Sequence, residues 1–141
     1  MGMVFDPSGG SSRVLTGQIP PALGKLTGLV QLIISGNQLT GAIPPSLGNL
    51  TELTQLFISY NQLEGSIPPS LSALRNLGAL VLDCNGLSGA LPAFAFEKAN
   101  ICYANYVQGF GSSCTSAGLK DNTYSCPLPD GAAEHCHAKC V

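Results

Sequence analysis

A 24-residue period constrains this chain more than any other feature of its sequence. Asn37, Asn61 and Asn85 are 24 positions apart, as are Gly17, Gly41, Gly65 and Gly89. Ile19, Ile43, Ile67 and Leu91 keep the same step, each followed by a proline (Pro20, Pro44, Pro68, Pro92). Leucines fill further columns, among them Leu32, Leu56 and Leu80, Leu39, Leu63 and Leu87, and Leu23, Leu47 and Leu71. A period of this length means one supersecondary unit stacked on the next, because a single coil cannot bury its own apolar face.

Within each period the triplets Leu32-Ile33-Ile34, Leu56-Phe57-Ile58 and Leu80-Val81-Leu82 alternate as short strands do,. Their outer members point inward to a shared core and their middle members outward. Stacked coils lay these strands side by side as a parallel sheet. Each asparagine follows its strand at a turn, and its amide is suited to pairing backbone groups of neighbouring coils that cannot stay unpaired when buried. The Pro-Pro-Ser-Leu segments lie opposite the sheet, where a proline at a helix start loses no hydrogen bond, and short 3₁₀ turns are expected there.

The run Leu39-Thr40-Gly41-Ala42-Ile43-Pro44-Pro45-Ser46-Leu47-Gly48-Asn49-Leu50 resembles the plant-type leucine-rich repeat, LxGxIPxxLGxLxxL. That family includes receptor-kinase ectodomains, receptor-like proteins and polygalacturonase inhibitors. The resemblance spans residues 14–92. It implies an α/β solenoid: a right-handed horseshoe with a concave parallel sheet, a second short sheet from the LxGxI segments, and extracellular recognition of proteins or peptides. The family's paired-cysteine N-terminal cap is missing, and Met1–Arg13 reads as a degenerate or truncated first coil with Arg13 at the asparagine position.

Beyond Pro92 the period is interrupted and then resumes. Leu119, Asn122, Tyr124, Cys126, Leu128 and Pro129 keep the spacing of Leu82, Asn85, Leu87, Gly89, Leu91 and Pro92, at an offset of 37 instead of 24, so 13 residues are inserted within Ala93–Ser113. The expected organisation is one domain, with a solenoid over 1–92 and a C-terminal cap over 93–141 that holds a degenerate repeat at 119–129. Phe96, Ala99, Tyr103, Tyr106 and Phe110 recur at helical spacing, which predicts an amphipathic helix over about 95–107.

Five of the six cysteines (Cys84, Cys102, Cys114, Cys126, Cys136, Cys140) lie in the last third of the chain, where a solenoid end exposes core,. A disulfide cap is the expected use, and it implies an oxidising compartment. Six cysteines allow 15 pairings, between which sequence does not choose. His135 and His137 beside Cys136 and Cys140 admit a zinc reading, but a second properly spaced pair is missing, and neither metal nor cofactor is expected,.

Composition excludes several classes. The chain has 141 residues, 45% hydrophobic and 10% charged, with a net charge of −2. Its six scattered lysines and arginines form no surface for nucleic acid,. No run approaches the roughly 20 apolar residues of a membrane span. Met1–Ser12 lacks the pattern of a secretory signal, which fits either a protein that stays inside the cell or one whose signal lies upstream; the cysteine cap favours a secreted or cell-surface protein whose signal is absent from this chain. Asn49-Leu50-Thr51 is a glycosylation sequon in the convex turn, which agrees with that location,.

Ligands of the family bind the concave sheet, so the resemblance nominates its outward positions: Gln31, Gln55 and Ala79; Ile33, Phe57 and Val81; Ser35, Ser59 and Asp83; and Gly36, Tyr60 and Cys84. Three apolar side chains in a row on a solvated face, with Tyr60 beside them, form a candidate interaction patch. Such residues also simply suit strands. The second sheet carries Thr16, Thr40, Glu64 and Ser88 in one column, and Gln18, Ala42, Ser66 and Ala90 in the next. A regular hydroxyl array could order water as ice-binding solenoids do, although Glu64 interrupts it. No nucleophile elbow or zinc-protease helix occurs, and Glu64 and Asp83 lie across two sheets from each other, so no catalytic residue is assigned. The expected function is recognition of a protein, peptide or glycan, the alternatives being a structural coat or adhesion repeat and, less favoured, ice binding.

Overall fold

A computed structural model of the chain describes residues 2–4, 14–93, 101–103, 114–115 and 118–124. Two parallel sheets of five strands each run along the stacked coils. The first contains β1 (Gly2–Val4), β3 (Gln31–Ile33), β5 (Gln55–Phe57), β7 (Ala79–Val81) and β9 (Ile101–Tyr103). The second contains β2 (Thr16–Gln18), β4 (Gln38–Gly41), β6 (Gln62–Ser66), β8 (Gly86–Gly89) and β10 (Thr123–Tyr124). Three 3₁₀ turns, Pro21–Lys25, Pro45–Asn49 and Pro69–Ala73, close the coils on the convex side.

The expected inward columns form the core. Leu32, Leu56 and Leu80 sit in register on adjacent strands and are at most 1% exposed. Ile34, Leu47, Leu50, Leu53, Ile58, Leu63 and Leu71 complete a continuous apolar interior. Each such side chain contributes about 1.5–3 kcal/mol on burial, which is how a chain of such short strands stays folded.

The convex turns are tied together by sequence-specific means. Proline fills the first helical position of each, and the backbone bond Leu47 N–H to Pro44 O (3.1 Å) recurs as Leu71 to Pro68 (3.0 Å). The Ser46 hydroxyl donates to the carbonyl of Pro21 and the Ser70 hydroxyl to that of Pro45, both at 2.7 Å. Gly48 is needed where these turns touch, since a Cβ there would lie 2.5 Å from the Ser70 carbonyl oxygen.

The asparagines form a buried ladder. Asn61 Oδ1 accepts from Leu39 N–H (3.1 Å), and its Nδ2 donates to the carbonyls of Ile34, Ile58 and Ser59 (3.0–3.2 Å). Asn85 repeats the pattern with Leu63, Ile58, Leu82 and Asp83. Asn122 takes the same place in the last coil, accepting from Leu87 N–H (2.9 Å) and donating to Leu82 O (2.9 Å). In this way each turn's orphan backbone groups are paired by the next coil.

Two features differ from the sequence expectations. First, the segment expected to be helical over 95–107 contains a strand at Ile101–Tyr103, paired in parallel with β7; the rest of that stretch lies outside the described residues. The open edge of β7 offers a row of unpaired backbone groups, and satisfying it outweighs the helical spacing of the aromatic residues. Second, the sheets differ in register. Partners in the first are 24 apart between β3, β5 and β7, whereas in the second Thr40 faces Gln62 and Glu64 faces Gly86, a step of 22. The asparagine ladder imposes this step, since Asn61 Oδ1 holds Leu39 N–H 22 positions away.

Candidate functional site

The first sheet presents its outward residues in straight rows, because its strands pair at the repeat spacing. Gln31 faces Gln55, which faces Ala79. Ile33 faces Phe57, which faces Val81, and all three are half-buried. The same row continues to Val4 on β1 and Tyr103 on β9, so five apolar or aromatic register positions cross the sheet. At about 4.8 Å between strands, the row is about 19 Å long. Val4 and Tyr103 were not nominated from the sequence. They lie outside the 24-residue columns, and only strand pairing brings them into line.

The third row is less open than expected. Ser35 is half-buried and Ser59 is 6% exposed, and the Ser59 hydroxyl donates to that of Ser35 at 3.0 Å. Asp83, the next member, is 7% exposed, and its Oδ1 has no hydrogen-bond partner among the described residues. Burial pushes its carboxyl up to about 6 from an ordinary 3.8; a hydrogen bond from its own backbone N–H opposes this, and the charge of Asp121 adds to it. Tyr124, fully buried in the last coil, is likewise pushed up, first by burial and then by Asp121. Ser59 and Asp83 therefore shape the edge of the surface more than they offer contacts.

Beyond that row the chain turns through a left-handed residue in three successive coils: Gly36 at φ 70°, Tyr60 at 53° and Cys84 at 53°. Only glycine adopts this conformation without strain, so Tyr60 and Cys84 are held there by their surroundings. Tyr60 N–H donates to Asp83 O at 3.1 Å. Cys84 is bonded to Cys114, 30 residues later, with both residues buried. The pairing covers two of the six cysteines; Cys126, Cys136 and Cys140 lie outside the described residues, as does the side chain of Cys102.

Asn49 is exposed at the end of its 3₁₀ turn, on the side of the coil opposite the first sheet. On the second sheet, the register step of 22 breaks up the hydroxyl columns read from the sequence. Thr40 stands between Gln18 and Gln62, Glu64 faces Gly86, and Ser66, Ser88 and Thr123 fall in one row. Among the described residues, no helix is long and apolar enough to cross a membrane.

The sequence matches the Leucine Rich Repeat family over residues 28–50 and 52–74. No curated protein matches it significantly. Among solved structures, it is similar to the leucine-rich-repeat ectodomain of the receptor kinase SOBIR1 from Arabidopsis thaliana, at 31% identity and a TM-score of 0.67, covering 88% of this chain and 61% of that one. It is also similar to a chain in the complex of the Arabidopsis receptor kinase HAESA with the peptide hormone IDA and the co-receptor SERK1, at 32% identity and a TM-score of 0.62, covering 77% and 18%. A plant ice-binding protein matches at 35% identity and a TM-score of 0.59, covering 79% and 32%. The chain thus spans less than two thirds of the length of each of these structures. Its coils are leucine-rich repeats, similar to those of the plant receptor-kinase ectodomains it matches.

Proposed function

We propose that the first sheet is a recognition surface for a protein or peptide outside the cell, and that the chain acts by binding and not by catalysis. The observation that carries this reading is the half-buried row Ile33, Phe57 and Val81, whose register continues at positions 4 and 103, with the Gln31 and Gln55 amides beside it. Apolar side chains on an open face gain by being covered, while adjacent amides fix the orientation of what covers them. The similarity to a receptor kinase solved with a peptide hormone and a co-receptor supports the same class of partner. The Cys84–Cys114 disulfide supports an oxidising location,, and the exposed Asn49 would carry a glycan away from the sheet.

Phe57 is the largest of the three described side chains in the row and sits at its middle. Phe57→Ala should leave folding intact and weaken binding of a captured partner by about thirty-fold, an anchor's share of roughly 2 kcal/mol. Gln38→Ala, exposed on the second sheet, is the control. Equal binding by wild type and Phe57→Ala, in a titration with folding checked by circular dichroism, would remove the proposal.

A second reading is ice binding by the second sheet, favoured by the similarity to a plant ice-binding protein. The row Ser66, Ser88 and Thr123 is its best support, and Glu64 and Gln62 beside it are its weakness. Thermal hysteresis indistinguishable from that of a non-binding control protein would dismiss it.

A further inference from the structure

Away from the concave sheet, a cavity of about 430 Å³ opens on the flank of the second sheet; Thr40, Gln62, Glu64, Gly86, Gly118 and Lys120 contribute to its wall. This volume lies within the range of small-molecule sites. The strand order places its parts. Thr40 stands on β4, Gln62 and Glu64 on β6, Gly86 on β8, and Gly118 and Lys120 just ahead of β10, the strand beyond β8. Two departures from the repeat make the hollow. Where two earlier coils carry Gln38 and Gln62, the next carries Gly86, which faces Glu64 and has no side chain. The insertion before the last coil then brings Gly118–Lys120 to the same opening.

We infer that this cavity binds a neutral saccharide. The kinds of group in its wall select that class. The Glu64 carboxylate accepts hydrogen bonds, the Lys120 ammonium donates them, and the Gln62 amide does both,. All three side chains are exposed, and none makes a side-chain hydrogen bond or ion pair among the described residues. The two charges are opposite, so an anion drawn to Lys120 is repelled by Glu64, and a cation the reverse. A hydroxyl donates and accepts through one oxygen, so it serves the carboxylate, the ammonium and the amide alike without carrying charge. A sugar bears hydroxyls all round its ring, so the fit does not require any one spacing between Glu64 and Lys120. Apolar ligands find little here: Leu63 is fully buried, Leu119 is half-buried, and no aromatic ring is among the described lining residues. At Gly86 the ring can approach the backbone closely, since no side chain stands in its way. The site lies on a different sheet from the row Ile33, Phe57 and Val81 and does not rest on the reading of that row.

The test is an NMR titration of the full, isotope-labelled chain with maltose, cellobiose and lactose, and with triglycine as a charged comparison. At least one disaccharide should give saturable shifts at the backbone amides of Glu64, Gly86 and Lys120, and triglycine should bind more weakly or not at all. Glu64→Ala and Lys120→Ala should each weaken disaccharide binding about three- to tenfold, the share of one exposed hydrogen bond. Raising the salt about tenfold should leave the affinity unchanged, because screening acts on charged ligands and not on neutral ones. Gly86→Gln, which restores the glutamine of the earlier coils, should fill the hollow and abolish the shifts, with circular dichroism reporting the fold. A Cβ at Gly86 would lie 3.2 Å from the Leu63 carbonyl oxygen; should that variant not fold, the two alanine variants, both at exposed positions, decide the matter. Absence of saturable shifts from all three sugars at tens of millimolar, shifts confined to the first sheet, full affinity in both alanine variants, or triglycine binding more tightly than every disaccharide would each overturn the assignment.

Discussion

The side-chain nitrogen of Asn85 donates to the carbonyl of Ile58, 27 positions earlier, at 3.0 Å. Asn61 bears the same relation to Ile34, at the same distance. One amide group thus holds the end of a strand in its own coil, the matching strand end in the coil before, and a backbone N–H in the second sheet. The two sheets are fastened to each other through these side chains, in a region where water cannot substitute for them.

Asn61→Ala should therefore be severe. It leaves the buried Leu39 N–H without its acceptor, while the carbonyls it releases keep other donors, Ile34 from Asn37, Ile58 from Asn85 and Ser59 from Gly36 N–H. One buried group so orphaned costs about 1–3 kcal/mol, and a loss of that size is expected in urea denaturation. Asn37→Ala should cost less, because Asn37 makes fewer bonds among the described residues and accepts from Leu15 in a partly buried setting.

Leu56 lies at the centre of the core and is fully buried on a middle strand. Leu56→Ala should lower stability by about 2–5 kcal/mol. Because neighbouring coils share the core, the midpoint of the whole transition should move instead of a separate phase appearing. An unchanged melting curve would mean that Leu56 points to solvent.

The Cys84–Cys114 bond closes a segment with a sequence separation of 30. Restricting a loop of that size in the unfolded chain contributes about 3–4 kcal/mol. The double variant Cys84→Ala/Cys114→Ala should unfold at lower urea in oxidising buffer. Limited proteolysis should cut between these two positions faster in the variant than in the wild type.

Asp83 predicts an unusual pH dependence. Its carboxyl titrates at about 6 when folded, against 3.8 ordinarily, so the folded chain holds that proton more tightly than the unfolded chain does. The sign is that Asp83 favours folding when protonated, and its contribution is lost as pH rises from about 4 to 6. Above that window the penalty is at most about 3 kcal/mol. Asp83→Asn should be more stable than wild type at pH 7, and the difference should vanish near pH 4. Equal urea midpoints at pH 7 would show that Asp83 is solvated.

Much of the fold was legible because leucine columns have one physical meaning. A side chain that recurs every 24 positions and is apolar must face the shared interior, so Leu32, Leu56 and Leu80 fixed which triplet members point out. The prolines of Pro44-Pro45 and Pro68-Pro69 likewise had few places to go besides the start of a turn. The register of the second sheet was not legible, since it follows from the asparagine bonds and not from the repeat, and two columns read as rows are oblique to the strands. The strand at Ile101–Tyr103 was missed because aromatic spacing is a local signal, whereas the open edge of β7 acts from 22 positions away. The site fared the same way. Ile33, Phe57 and Val81 stood out as a column, but Val4 and Tyr103 join them only through pairing, and the burial of Asp83 is not visible in its column.

The asparagine ladder has a bearing on how such a chain can change length. Asn61 and Asn85 present the same donors and acceptors forward and back, so the upper side of one coil fits the lower side of any other. A 24-residue block could be duplicated or deleted without redesigning its neighbours, and the apolar track would lengthen or shorten by one strand each time. The number of coils is free to vary, then. In this chain the repeat is departed from at β1, five residues out of step with the coils after it, and in the insertion that places Cys114 on Cys84.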